Sequence, residues 1–407
     1  TTDSNFVLGY FSALPRQDTM RAAAVLLVLG AGCEALQPPR VGAGPRRAPA
    51  VAATTATEAV LDQLEVGAAP LDWEELGFTY RPTRCHVQYT YKNGAWDAGE
   101  LVDEPYLKIH IGATALHYGQ AAFEGLKAFA QKDGSVKIFR PFENAARMQR
   151  SAQRSLMAEV PDEVFIEGVR RAVAANKDFI PPYGAGGSLY VRPLLVGSGA
   201  RIGLQPADEY TFIVLVVPVG AYYKGSGPTP VSAVVIDDYD RAAPKGVGSV
   251  KVAGNYVADL LPSVLGKKRG FPIGLYLDAE TRQYVEEFST SNFFGITKDG
   301  TYVTPLSDAV LPSITNKSLM TVAEAAGIKV ERRRVKLAEV FDGSLTEVAA
   351  CGTAVVVTPI KQLVQGDRLV SIGDGETVGP KTLMLYDTIR AIQIGDLPDP
   401  YGWMVSL

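Results

Sequence analysis

The sequence predicts an α/β chain in two domains, on three observations. Its 407 residues suffice for about two separate cores. Apolar runs that alternate or persist in the manner of strands are interleaved with stretches of helical periodicity. The segment KGSGPTP, residues 224–230, has the composition of a linker. The expected division is a domain over 66–223, the linker at 224–230 and a second domain over 231–407.

In chain order, folded sequence is expected from near Leu71, where LDWEELGFTYRPT brings the first aromatic cluster. Strands are expected at 86–91, 106–111 and 137–139. Between the last two lies LHYGQAAFEGLKAF, whose aromatics read equally well as core. Pro141 sets a helix start, and Ala145, Met148, Ala152 and Leu156 then share one stripe. Arg147 lies opposite that stripe and reads as solvated. A second helix is expected over 162–176. SLYVRPLLVGS and YTFIVLVVPVGAYY read as strands, the second apolar enough for the centre of a sheet. Arg192 interrupts the first of them. An arginine there is costly unless it meets an anion or a carboxylate, so a binding role and a structural ion pair both stay open.

Strands resume at 231–236. NYVADLLPSVLGKKRG reads as a helix broken around Pro262, and residues 273–297 as strand, turn, strand. Of the adjacent acids Glu286 and Glu287, strand alternation sends one inward. LPSITNKSLMTVAEAAG reads as a loop and a helix with Ser313 or Thr315 near its N-cap and Gly327 at its end. The free amides of such a helix start suit a phosphate. EVAACGTAVVVTPIKQL is a strand interrupted at Cys351-Gly352-Thr353-Ala354.

The chemistry gathers around residues 245–256, KGVGSVKVAGNY, with Lys245 and Lys251 among three glycines. Glycines let backbone approach closely. A lysine in so poorly hydrated a place loses solvation, which lowers its pKa and frees a nucleophilic amine. Lys251 is followed by Val252, so the segment is no nucleotide phosphate loop, and no Rossmann fingerprint occurs. A lysine, a phosphate cup and a buried acid are together what pyridoxal phosphate requires.

Other classes are disfavoured. The net charge is −4 and no long basic run follows the N-terminal region, which argues against nucleic acid. Cys33, Cys85 and Cys351 lack CxxC spacing, so neither a disulfide framework nor a zinc site is supported. His86, His110 and His117 show no metal-ligand pairing.

Residues 1–65 are set apart as a targeting leader. After Met20-Arg21 comes an apolar run of about eleven residues, Ala22 to Gly32, too short for a bilayer but suited to a signal peptide. Gly30 to Cys33 offer a cleavage region. QPPRVGAGPRRAPAVAATTATEA then has the composition of a transit peptide. The pair resembles the bipartite leader of plastids reached through the secretory route, with a mitochondrial presequence the alternative. The stretch before Met20 reads as translated upstream sequence.

The stretches YGQAAFEGLKAF, FRPFENAARM, GSLYVRPLLVGSG, VPVGAYY, KVAGNY, YVEEFSTSNFF, LPSITNKS and CGTAVVV occur in one order across roughly four-fifths of the chain. By them it resembles the branched-chain amino acid aminotransferases of plant and mammalian type. These are fold-type IV enzymes of pyridoxal 5′-phosphate, similar in fold to D-amino acid aminotransferase. The resemblance implies two α/β domains with the active site at their interface, completed across a homodimer. It makes Lys251 the Schiff-base lysine, not Lys245, and Glu287 the acid facing the pyridine nitrogen. Tyr256 matches the tyrosine on the ring hydroxyl and Arg147 the phosphate-binding arginine, against the periodicity. Ile314, Thr315 and Thr353 match the phosphate cup, with Thr290 close by.

On the substrate side, Thr353 and Ala354 match backbone donors to the α-carboxylate. Phe78, Tyr118, Phe123, Tyr190 and Tyr222 match the apolar walls, and Arg192 the receiver of the distal carboxylate of glutamate. The implied reaction is transamination of leucine, isoleucine and valine with 2-oxoglutarate, in a plastid toward synthesis. Mammalian members carry a CxxC pair just after GTA. Here Val355 to Thr358 follow, so that thiol switch is not expected. A D-amino acid aminotransferase or an aminodeoxychorismate lyase of the same fold is the rival, and would differ around Tyr190, Arg192 and Tyr222. A non-catalytic phosphate-binding module would not explain Lys251, Glu287 and Arg192 together.

Overall fold

The computed structural model describes residues 63–220 and 227–407. The leader up to residue 62, Cys33, Tyr222 and the first part of the linker lie outside the described residues.

Two sheets carry the fold. The first is built from β1 (His86–Lys92), β2 (Ala95–Trp96), β3 (Glu100–Val102), β4 (Ala121–Phe123), β5 (Leu126–Ala130), β6 (Val136–Phe139), β7 (Ser188–Gly197) and β8 (Tyr210–Val219). The second comprises β9 (Val231–Val235), β10 (Ile273–Leu277), β11 (Tyr284–Phe288), β12 (Ser291–Thr297), β13 (Tyr302–Pro305), β14 (Val330–Arg333), β15 (Val335–Lys336), β16 (Leu345–Gly352), β17 (Val356–Gln365) and β18 (Arg368–Ser371). The last strand, β19 (Met404–Ser406), returns to the first sheet and pairs with β6, giving the order β19-β6-β5-β7-β8-β1-β2. The second sheet runs β14-β13-β12-β16-β17-β9-β10-β11-β15. The helices are α1 (Thr114–Tyr118), α2 (Pro141–Arg154), α3 (Asp162–Ala174), α4 (Gly254–Lys268), α5 (Ile314–Ala325), α6 (Leu337–Phe341) and α7 (Pro380–Ile394).

β8 is interior, as its apolar run predicts, because both of its faces are covered. Phe212, Val214 and Val216 share a core with Phe165 and Val169 of α3, and Phe212 stacks on Phe165 at 5.9 Å. On the other face Val217 and Val219 pack with Tyr190. Arg192 is paired with Leu215 and falls on that second face with Tyr190. A third core joins the sheets: Phe129 and Phe139 of the first meet Phe294, Tyr302, Cys351 and Val357 of the second, with α5 and α7 above them.

Five expectations are corrected. The apolar run at 106–111 is no strand: Tyr106 and Ile111 are 82% exposed, and no described strand edge pairs with it. Residues 273–297 form three strands rather than two. Pro262 does not break α4, because the buried stripe Asn255, Asp259, Pro262 and Gly266 seats the whole helix and outweighs one lost hydrogen bond. Glu286 and Glu287 do point to opposite faces, but both faces are covered and both acids are buried. Arg147 is not solvated but 4% exposed, since the face opposite the apolar stripe is covered too.

Candidate active site

The lysine segment reaches its place by docking as an extra strand on the edge of β4. Phe123 N–H donates to Lys251 O at 3.1 Å and Ala253 N–H to Ala121 O at 3.0 Å, with Ala122 and Val252 bridged antiparallel. Ser151 Oγ of α2 accepts from Lys251 N–H at 2.9 Å. Three residues later α4 begins and turns to the second sheet, where Asp259 takes the Tyr276 hydroxyl at 2.6 Å. Lys251 therefore stands where the two sheets meet. The glycines matter here: a Cβ on Gly248 would lie 2.0 Å from Ala309 O. Lys245 is exposed.

Lys251 Nζ donates to Tyr256 Oη at 2.6 Å and lies 4.5 Å from the centre of the Phe123 ring. Burial, then the Arg147 guanidinium, pull the amine down to about 7. Burial pushes the Tyr256 phenol up to about 12, so it stays protonated beside the lysine. On the second sheet, Glu287 in β11 is buried against Arg241, with Nη1 2.6 Å from its Oε1, and accepts from Leu311 N–H at 3.3 Å. Burial raises Glu287 to about 7 in spite of that arginine.

Beyond Glu287 the chain runs on through β12 and β13 into α5. Ser313 is its N-cap and its Oγ accepts from Asn316 N–H at 3.1 Å, so the amides of Ile314 and Thr315 have no partner within the helix. Arg147 Nη1 donates to Pro312 O at 3.0 Å beside that start. Its Nε and Nη2 grip both oxygens of Glu124, at 2.8 and 2.7 Å, in a pair that is all but sealed from solvent. Thr353 joins Ile314 and Thr315 around a small cavity of ≈ 20 Å³. Two larger clefts, ≈ 500 and ≈ 390 Å³, lie away from these groups, so chemistry rather than size marks the site.

Arg192 rests on aromatic rings, its guanidinium 4.6 Å from the Phe123 ring centre and its Nη2 2.9 Å from Tyr190 Oη. Phe78, half exposed, meets Tyr190 edge-on at 5.2 Å, and Phe123 meets Tyr256 at 4.8 Å. Lys251, Tyr256, Phe123, Tyr190, Arg192 and Phe78 thus form one connected wall. Tyr118, at the end of α1, is half exposed and donates to Ile202 O. Thr290 stands exposed at the turn between β11 and β12, and Ala354 lies at the turn between β16 and β17.

Sequence reading missed Arg241, Glu124 and Ser151. Glu124 had a signal, an acid inside the apolar run AAFEGLKAF, by the same argument that singled out Arg192. Arg241 had none: DDYDRAAPKG reads as a solvated loop.

Comparison with known proteins places the chain in a family. The family model for amino-transferase class IV matches residues 121–363. A branched-chain-amino-acid aminotransferase of Haemophilus influenzae is 47% identical, covering 83% of this chain and 99% of that protein. Branched-chain-amino-acid aminotransferase 3, chloroplastic, of Arabidopsis thaliana is 42% identical over 83% of this chain and 81% of its own. The crystal structure of the Escherichia coli branched-chain amino acid aminotransferase superposes with a TM-score of 0.66 at 26% identity, covering 79% of this chain and 99% of that one. The chain belongs to the class IV amino-transferases, among the branched-chain-amino-acid aminotransferases.

Proposed function

We propose that the protein transaminates L-leucine, L-isoleucine and L-valine with 2-oxoglutarate, using pyridoxal 5′-phosphate held between Lys251, Glu287 and the start of α5. One observation carries this: a lysine with its pKa brought down to about 7 faces a protonated tyrosine, near enough to the buried Glu287 to bear on its charge, with Arg147 beside it reaching the start of α5. The donor set fits the cofactor. The amides of Ile314 and Thr315, Thr353 and the remaining N–H groups of Arg147 suit its phosphate, with Thr290 at the rim. Glu287 suits its ring nitrogen and Tyr256 its ring hydroxyl. When bound, the cofactor supplies the electron sink for the pair left as a substrate loses its α-proton.

The protein's own part is to hold groups and to move that proton. Lys251 Nζ, neutral through much of the population near pH 7, acts as general base toward the proton on substrate Cα and returns it as general acid. Tyr256 Oη fixes the direction of Nζ. Arg241 opposes protonation of Glu287. Amides of the turn at Thr353 and Ala354 receive the α-carboxylate. Phe78, Tyr118, Phe123 and Tyr190 wall the hydrocarbon, worth about 1.5–3 kcal/mol per buried side chain. Arg192, propped by Tyr190 and Phe123, meets the distal carboxylate of glutamate.

The exposed apolar face of α4, with Val257 66%, Leu260 64% and Leu261 55% accessible, supports a homodimer. The chloroplastic name of the Arabidopsis relative supports a plastid address. The chain divides into its two domains at 224–230, with β19 returning to the first of them. Glutamate formation from leucine, with Lys251→Ala inactive, tests the reaction; turnover of D-alanine in place of leucine would move the protein to the D-amino acid branch.

A further inference from the structure

Lys127 is a second buried amine at this site, and the reaction as described leaves it idle. It stands in β5, whose five residues are all buried, and is paired with Tyr190 of the substrate wall. Its Nζ crosses to the second sheet and donates to the carbonyl of Ala354 at 2.8 Å. The charged neighbour that bears on it is another cation, Arg390; burial first and Arg390 second bring the amine down to about 7. A buried amine beside a second cation is unfavourable, so the contact it makes needs a reason.

Ala354 lies in the turn of three residues, 353–355, that joins β16 to β17. Val356, which follows, is buried and has φ +70°. That is an outlying backbone conformation for a β-branched residue, and such conformations persist only where their surroundings fix them. A hydrogen bond to the Ala354 carbonyl fixes the Ala354–Val355 peptide plane and, through the Ala354 Cα, restrains the swing of the preceding Ala354 amide.

We propose that Lys127 is a positioning residue for carboxylate recognition: its Nζ holds the 353–355 turn so that the turn's amides face the α-carboxylate of the substrate. This rests on the transaminase reading, in which Thr353 and Ala354 meet that carboxylate. Lys127 borders the small cavity of Ile314, Thr315 and Thr353, and there its Nζ is engaged by the Ala354 carbonyl.

The test compares wild-type, Lys127→Met and Lys127→Gln holoenzymes. Steady-state kinetics give KM and kcat for leucine and 2-oxoglutarate, and titration of the cofactor's absorbance gives the Kd of 4-methylpentanoate, a carboxylate with the leucine side chain and no amine to react. Lys127→Met should raise both KM values and this Kd roughly tenfold, the scale of one positioned hydrogen bond. Its kcat should stay within about threefold and cofactor binding should be kept. Lys127→Gln retains a donor at shorter reach and should fall between; it also carries the test if the Met variant does not fold. Wild-type KM and Kd values in a folded variant, or a loss confined to kcat or to cofactor binding, would overturn the inference. A wild-type enzyme whose absorbance ignores leucine would instead overturn the transaminase reading beneath it.

Discussion

Removing the Glu124 carboxylate while keeping Arg147 strands a guanidinium inside the protein. In the folded chain that side chain is 5% exposed and its partner 0%, and two hydrogen bonds of 2.8 and 2.7 Å join them. Asn144 Nδ2 also donates to Glu124, at 2.8 Å, and to Gly125 O at 3.2 Å, so the truncation takes one of its two acceptors. An uncompensated buried charge of this kind costs about 3–5 kcal/mol, a large share of the roughly 5–15 kcal/mol that holds a domain together. Glu124→Ala should therefore lose about 3–5 kcal/mol in urea-unfolding free energy of the apoprotein. The double variant Glu124→Ala/Arg147→Met should recover part of this, because it removes the charge together with its partner. A loss below about 1 kcal/mol in Glu124→Ala, or a double variant as unstable as the sum of both singles, would refute the reasoning.

Arg192→Met should raise KM for 2-oxoglutarate at least about tenfold while changing that for leucine less, because only the former brings a second carboxylate to the guanidinium; equal changes in separate titrations would count against that role. Gly248→Ala should weaken cofactor retention and stability together, since its Cβ would meet Ala309 O at 2.0 Å and push the Lys251 segment off β4; thermal melts and cofactor titration read both effects. Lys127 has a folded pKa of about 7 against an ordinary 10.5. Between those values the unfolded chain binds the extra proton, so this lysine makes stability rise with pH over that window. Lys127→Met should then flatten the slope of unfolding free energy between pH 7.5 and 9.5 by up to about one proton, ~1.4 kcal/mol per pH unit. Parallel slopes for the two proteins would contradict the depressed value.

How far the sequence carried depends on the kind of signal. Elements with an unbroken pattern were legible: the apolar run of β8, the Pro141 start of α2 and the Ser313 cap of α5 each follow from local chemistry. Where partners decide, pattern failed. The 106–111 run has strand composition and no described edge to join, and Pro262 sits in a helix that packing holds together. Arg147 shows the limit most clearly. Helical periodicity assigns it to water, whereas Glu124, 23 residues earlier, closes over it from β4's end. Lys251 could be singled out from its glycines, but its pairing with Tyr256 and its place beside the sheet of Glu287 arise only once the segment docks on β4. Arg241, in a loop of acids, becomes visible only through its carboxylate partner.

The central claim is that Lys251 lies at the base of a site that exchanges amino groups between a branched-chain amino acid and 2-oxoglutarate. The most direct measurement follows the absorbance of the purified holoenzyme through each half of the reaction. Leucine alone should convert the cofactor's band, and 2-oxoglutarate, added after leucine is removed, should restore it; Lys251→Ala should do neither at a useful rate. A wild-type band that stays unchanged with leucine, or a Lys251→Ala protein that cycles as well as wild type, would contradict the account.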